Sequence, residues 1–150
     1  MFFDLFILFF LIPKYAFAYD LEASCGVSYC TLSTHDAVFL PDTKWTPGKT
    51  EIREVKIINT DSLSKEIYIK ARNAKDSTKE LDSYMDITLS DSNGVIWQGD
   101  LAEFINAGNI QVVDLAGGDE LTLGIEAKMT ESIPNNMMGE SSVFNFSFGF

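Results

Sequence analysis

The sequence is poor in the residues that most often catalyse reactions or bind metals. It contains one histidine, His35, and two cysteines, Cys25 and Cys30, among 150 residues. A zinc hydrolase needs two or three close ligands and a general base. A Cys–His nucleophile needs a free thiol, which a disulfide would remove. We therefore predict that the protein is not an enzyme and has no catalytic residue, cofactor or metal site.

Basic residues are also scarce. The chain has 11 Lys and Arg residues and 22 Asp and Glu residues, which gives a net charge of −11. From residue 80 onward only Lys128 is basic. An acidic surface disfavours nucleic acid and anionic membranes, which carry the same sign of charge. The acidic charge has three interpretations: solvated surface loops, a basic partner, or screening by Ca²⁺. Asp91–Gly94 lacks the other ligands of a calcium loop, and a hairpin turn explains it better.

No apolar run near the N-terminus is long enough to span a bilayer. Leu5–Ile12 is short and is followed by Pro13, and Ala16-Phe17-Ala18 matches a signal-peptidase cleavage pattern. The residues before the apolar run include Asp4 and no Lys or Arg, which is atypical of such signals. We predict that residues 1–18 are a signal peptide, that the protein is secreted or held at the cell surface, and that it inserts in no membrane after cleavage.

The two cysteines are separated by four residues. In an exported protein this spacing favours a local disulfide between Cys25 and Cys30, with free or intermolecular thiols and a metal site as alternatives. Residues 19–36 are predicted to form a cysteine-clipped N-terminal arm or an irregular first strand. The remaining residues, 37–150, are predicted to form one domain.

The segment from Trp45 to Ala71 has the pattern of a turn and two strands. Pro47-Gly48 favours a tight turn. Val55 and Ile57 then alternate with polar residues up to Asn59, and a polar loop separates this run from a second one. Ile67, Ile69 and Ala71 share one face of that second strand. Such a unit requires a second sheet to cover its apolar face.

The central segment predicts a hairpin followed by a helical turn. Met85, Ile87 and Leu89 alternate with polar residues, Asn93-Gly94 favours a two-residue turn, and Val95-Ile96-Trp97 returns. Asp100 is a good N-cap for a short helix that Gly108 would end.

The last third of the chain predicts further strands at 110–115, 121–128 and 143–150. In the final one Phe144, Phe146, Phe148 and Phe150 share one face, and we expect these rings to fill the core. The complete pattern predicts a single antiparallel β-sandwich of jelly-roll type, with an Ig-like or CARDB-type topology as the alternative.

Three motifs resemble the camelysin/TasA-like family of secreted bacterial proteins. They are the turn and strand ending at Asn59, the stretch from Ile87 to Leu101, and the closing N-x-x-x-G with alternating phenylalanines. Their residues are Trp45, Pro47, Gly48, Asn59, Asn93, Gly94, Trp97, Asn135 or Asn136, Gly139, Phe144, Phe146 and Phe148. The resemblance implies a jelly-roll sandwich, export, and a role at the cell surface or in an extracellular matrix, often as a fibre subunit.

The resemblance leads us to expect a structural protein whose partners are copies of itself or other surface proteins. Sheet edges expose unpaired backbone groups that a partner strand can complete. In this interpretation residues 19–36 form the arm that pairs with a neighbour, and their deletion would leave a folded domain. The alternative is a monomeric adhesion or carbohydrate-binding module that uses Trp45 and Trp97 as stacking platforms.

Overall fold

The computed structural model describes residues 21–32, 45–73, 79–137 and 144–150. The strands are β1 Leu21–Cys25, β2 Cys30–Leu32, β3 Thr50–Asn59, β4 Lys65–Asn73, β5 Met85–Asp91, β6 Gly94–Asp100, β7 Ile110–Leu115, β8 Glu120–Met129 and β9 Phe144–Gly149. The helices are α1 Lys79–Asp82, α2 Leu101–Ala107 and a 3-10 helix Asn135–Met137. The predicted signal peptide, His35 and Gly139 lie outside the described residues.

The strands form two packed sheets. The large sheet has six strands in the order β2-β1-β3-β8-β5-β6, and the small sheet has three in the order β7-β4-β9. Every pairing is antiparallel except that of β1 with β3, which is parallel. The predicted all-β, sandwich-like fold is confirmed.

The core lies between the inward faces of the sheets, as the alternating patterns predicted. Val55 and Ile57 of β3 and Ile67, Ile69 and Ala71 of β4 are fully buried. The inward residues of β5 and β8 complete this core; they are Met85, Ile87, Leu89, Leu123, Ile125, Ala127 and Met129. Burial of side chains of this size is the main favourable contribution to folding.

Residues 21–32 belong to the sandwich instead of forming a separate arm. Leu21, Ala23 and Cys25 of β1 are at most 4% exposed. β1 also pairs with β3 from Leu21, opposite Val55, to Cys25, opposite Asn59. β1 therefore packs with the core, in line with the first-strand interpretation, and the domain boundary after residue 36 stays a prediction outside the described residues.

The final strand is less buried than expected. Phe144, Phe146 and Phe148 are partly buried and pack against the core, whereas Phe150 is 44% exposed. β9 lies at the margin of the small sheet, so its inward side chains reach the periphery of the core. The expectation that all four rings fill the core is wrong for Phe150.

The hairpin is confirmed, but its turn is shifted by one residue. Asp91 pairs with Gly94, so Ser92 and Asn93 form the loop and Gly94 begins β6. The Asp91 carboxylate accepts bonds from the backbone N–H groups of Asn93 at 2.7 Å and Gly94 at 3.1 Å. This side-chain turn explains the shift, because it lets Asn93 keep a negative φ while Gly94 takes a φ of 132°.

The predicted helix after β6 is α2, and its ends match the sequence signals. Asp100 is the N-cap and forms a capping box with Glu103. Gly108 follows the last turn with a φ of 74°. Leu101 and Phe104 are fully buried. α2 therefore packs across the end of the core, where it contacts β4, β5 and β6.

Candidate functional site

The described residues do not assemble a reactive centre of the metal-binding kind. No group of three or more His, Cys, Asp or Glu residues among them is placed to hold a metal ion. None of the helices in the same part of the chain has the length and apolarity needed to cross a membrane. The surface does offer a sheet edge, exposed apolar side chains and a pair of cations.

The edge is β6, at one border of the large sheet. It is the longest strand at any sheet edge, and within the described residues only β5 pairs with it. Its first six residues, Gly94 to Gly99, include no charge and no proline, and Val95 is 64% exposed. Natural edges are usually protected by lysine, proline or bulges. β6 has only a bulge, where Ile96 is inserted opposite the step from Leu89 to Ser90.

The Trp97-Gln98-Gly99 motif fixes this edge to α2. The Trp97 ring lies 4.8 Å from the Phe104 ring, between centroids. A Cβ atom on Gly99 would lie 2.9 Å from the Trp97 ring and 2.5 Å from Glu103 Oε2. A side chain at position 99 would therefore displace the indole or the Glu103 carboxylate of the capping box. The sequence analysis singled out Trp97 in this motif, but it did not predict that the ring packs over Gly99 against α2.

The tryptophans do not form an exposed platform. Trp97 is partly buried against the core, and so is Trp45, whose ring centroid lies 5.7 Å from Lys49 Nζ. Trp45 precedes β3 and Trp97 lies on β6, with β8 and β5 between these strands. Both residues serve packing in this structure. The Pro47-Gly48 turn is confirmed next to Trp45, with a φ of 80° at Gly48 and a bond from Lys49 N to Thr46 O.

Asn59 organises one end of the sandwich. It is fully buried, and its Nδ2 donates to the carbonyl groups of Leu63 at 2.8 Å, Leu115 at 2.9 Å and Ala116 at 3.1 Å. Its Oδ1 accepts a bond from Asp61 N at 3.1 Å. A single amide thus connects the loop after β3 with the turn after β7. The sequence pattern predicted Asn59 only as the end of a strand. Its place on the inward face of that strand was the one sequence signal that its side chain would be buried and hydrogen-bonded.

The disulfide-closed loop lies at the same end. Cys25 and Cys30 are bonded, with an S–S distance of 2.04 Å, which confirms the predicted local disulfide. In the loop between them, Val27 is 78% exposed to solvent and Tyr29 is 68% exposed. Thr60 N donates to Cys25 O at 2.9 Å, so the loop after β3 lies alongside. This end of the sandwich therefore exposes two large apolar side chains.

The outward face of β4 carries two cations beside a groove. Tyr68, Lys70 and Arg72 point away from the core and line an open groove of about 600 Å³, with Asn109 and Ser147 among its other residues. Tyr68 Oη donates to Glu66 Oε2 at 2.6 Å. This hydrogen bond stabilises the neutral phenol and raises the pKa of Tyr68 above its ordinary value.

Lys65, the first residue of β4, contacts both Asp61 and Phe150. Lys65 Nζ lies 3.1 Å from Asp61 Oδ2 and 3.6 Å from the centroid of the Phe150 ring. The hydrogen bond from Lys65 stabilises the Asp61 carboxylate and lowers its pKa, and the backbone bond from Ser62 acts in the same direction. Phe150, which follows β9, thus lies against the Lys65–Asp61 ion pair.

Together, the fold and the disulfide define an all-β, sandwich-like protein with a cysteine-closed hairpin at one end. No protein-family model matches the chain, and no curated protein sequence matches it significantly. The resemblance to the camelysin/TasA-like family therefore stays a prediction from sequence motifs.

Proposed function

We propose that this chain is an exported structural protein of the cell surface or extracellular matrix whose copies associate by strand addition. The location is supported by the predicted signal peptide and by the Cys25–Cys30 disulfide, because disulfides persist mainly in oxidising compartments. The predicted family resemblance, with its jelly-roll topology and fibre-forming members, agrees with this role.

The observation that carries the proposal is the β6 edge. Backbone N–H and C=O groups along such an edge can pair with an extended strand from another molecule. The uncharged run from Gly94 to Gly99 imposes no electrostatic penalty on that approach, and Val95 adds apolar area. The anchoring of Trp97 on Phe104 keeps the edge in place, so little order has to be gained on binding.

The test compares two identical substitutions on the mature chain, residues 19–150. Val95→Lys places a charge on the β6 edge, whereas Val27→Lys makes the same change on the exposed disulfide loop. Sedimentation velocity and negative-stain microscopy should show assemblies for the parent chain and Val27→Lys, and mainly monomer for Val95→Lys.

Two results would contradict the proposal. A parent chain that remains monomeric at high concentration would remove self-association altogether. Loss of assembly in Val27→Lys but not in Val95→Lys would move the contact from the β6 edge to the disulfide-closed end. Far-ultraviolet circular dichroism of each variant establishes that the sandwich is intact before either comparison is made.

A further inference from the structure

We infer that Lys70 and Arg72, on the outward face of the small sheet, bind the acidic outward face of the large sheet of a second copy. This inference rests on the proposed self-association and adds a second contact, distinct from the β6 edge. The protein has twice as many acidic as basic residues.

Most cations whose side chains the structure describes already have an acidic partner. Lys49 and Arg53 lie near Glu51, Lys56 lies 2.7 Å from Glu120, and Lys65 bonds to Asp61. Within that part of the chain, Lys70, Arg72 and Lys128 have no carboxylate within 4.0 Å. In an acidic chain, two adjacent cations without a partner form a site that attracts carboxylates.

Within the described residues, no acidic side chain neutralises the charge of Lys70 and Arg72. Across the β4–β9 pairing, Lys70 faces Ser147 and Arg72 faces Asn145, which are uncharged. Residues two apart on a strand lie about 7 Å from each other on the same face. Glu66 lies on the same face of β4, about 13 Å from Lys70. Its carboxylate already accepts a hydrogen bond from the Tyr68 hydroxyl.

The groove beside these cations suits carboxylates. An arginine guanidinium presents a planar set of donors that bonds a carboxylate through both oxygens. Arg72 is exposed and Lys70 is half-buried, so both can be reached from solvent along the open groove. No atom lies within 4 Å of the place where a Cβ on Gly149 would stand, which leaves room for an incoming side chain.

The opposite side of the molecule supplies the complementary charge. The outward positions of β1, β3, β5 and β8 carry more acidic than basic residues. The acids are Glu22, Glu54, Asp86, Glu120 and Glu126, and the bases are Lys56 and Lys128. Glu126 stands between Ile52 of β3 and Thr88 of β5, and no ion pair is formed at its position. It is the best placed acid for a contact at the centre of this face.

The position of these two faces determines the kind of assembly. They lie on opposite sides of the sandwich, because each is the outward side of its own sheet. A contact between unlike faces is heterologous, and it produces an open chain of subunits unless the rotation closes a ring. It also explains how copies that each carry a net charge of −11 can approach: the cationic site meets the acidic face.

Charge reversal tests the contact with a matched control. Arg72→Glu lowers the net charge by two, and so does the double variant Val27→Glu, Leu63→Glu, which changes two exposed loop residues outside both faces. We expect Arg72→Glu to weaken association about ten-fold, since a charged hydrogen-bonded contact is lost, and the double variant to leave it intact. Adding Glu126→Lys to Arg72→Glu should restore association. Association of the parent chain should weaken as NaCl rises to about 0.5 M.

Each outcome separates this inference from the β6 proposal. If Val95→Lys blocks assembly and Arg72→Glu does not, strand addition stands and the face-to-face contact is wrong. If Arg72→Glu blocks assembly and Val95→Lys does not, the charged contact stands without the β6 edge. Equal loss in Arg72→Glu and in the Val27→Glu, Leu63→Glu double variant would also overturn the inference, because net charge alone would then explain the effect.

Discussion

Asn59 occupies the last inward position of β3, where alternation would place an apolar side chain. Burying an amide costs free energy unless its donors and acceptors are paired. Here the side chain bonds to three carbonyl groups and one N–H. Its backbone also bonds to Asp119 and Gly118. The sequence marked the position, but the partners are distant in the chain and required the structure.

The first prediction concerns this amide. Asn59→Ala would leave the carbonyl groups of Leu63, Leu115 and Ala116 without their donor, so we expect the free energy of unfolding to fall by about 2–4 kcal/mol. Urea denaturation measures the change. Asn93→Ala is the control, because that side chain bonds only to Asp91 on the exposed hairpin; it should cost less than about 1 kcal/mol. Equal losses would show that Asn59 does not organise this end.

The second prediction concerns Asp61. Its pKa in the folded state lies below the ordinary value of 3.8, chiefly through the hydrogen bond from Lys65. The resulting stabilisation is present above pH 3.8 and is lost as the pH falls through the lower folded value. Thermal midpoints measured at several pH values below about 4 should therefore fall less steeply in Asp61→Asn than in the parent chain.

Lys65→Met provides the companion measurement for this pair. It removes the donor and leaves Asp61 in place, so it should weaken the same acid-dependent part of the stability. If Asp61→Asn kept the full acid dependence of the parent chain, the loss of stability in acid would have to come from other carboxylates.

At the scale of elements, local signals were the reliable ones. The alternation of β5 and the Asp100 cap of α2 were each confirmed, because short-range patterns determine them. The turn of the hairpin moved by one residue, since the Asp91 side chain competes with the Asn-Gly preference. β1 was less clear because small residues, Ala23 and Cys25, form most of its inward face. Its parallel partner β3 is far away in sequence.

The third prediction concerns the junction of β6 with α2. Gly99→Ala would place a methyl group against the Trp97 ring and Glu103 Oε2. We expect a loss of about 1–3 kcal/mol in the free energy of unfolding, because the ring or the capping box must shift. Gly149→Ala is the control, with no atom within 4 Å of the added Cβ, and should change stability by less than about 0.5 kcal/mol. Similar effects at both positions would contradict the packing described for Trp97.

At the scale of the whole molecule, the sequence predicted the sandwich but not how its sheets divide the strands. Alternation identifies which side of a strand is buried, and it contains no information on which strands are neighbours. The two proposed contacts also depend on which strands are neighbours. The β6 edge requires the strand order, and the cationic face requires the register that sets Asn145 and Ser147 beside Arg72 and Lys70. Neither could be read from composition, which showed only an acidic chain.

The last prediction tests whether the N-terminal strands are part of this whole. Deleting residues 19–36 removes β1 and β2, and it exposes the inward side chains of β3 beside them. Because Leu21, Ala23 and Cys25 are at most 4% exposed, we expect the deletion to cost more than about 3 kcal/mol and to weaken the near-ultraviolet circular dichroism. The double variant Cys25→Ala, Cys30→Ala keeps both strands and removes the crosslink without burying a hydroxyl, and it should cost about 2 kcal/mol for so short a loop. A deleted chain that unfolds at the same urea concentration as the parent would show instead that these strands are a separable arm, and that the core is complete without them.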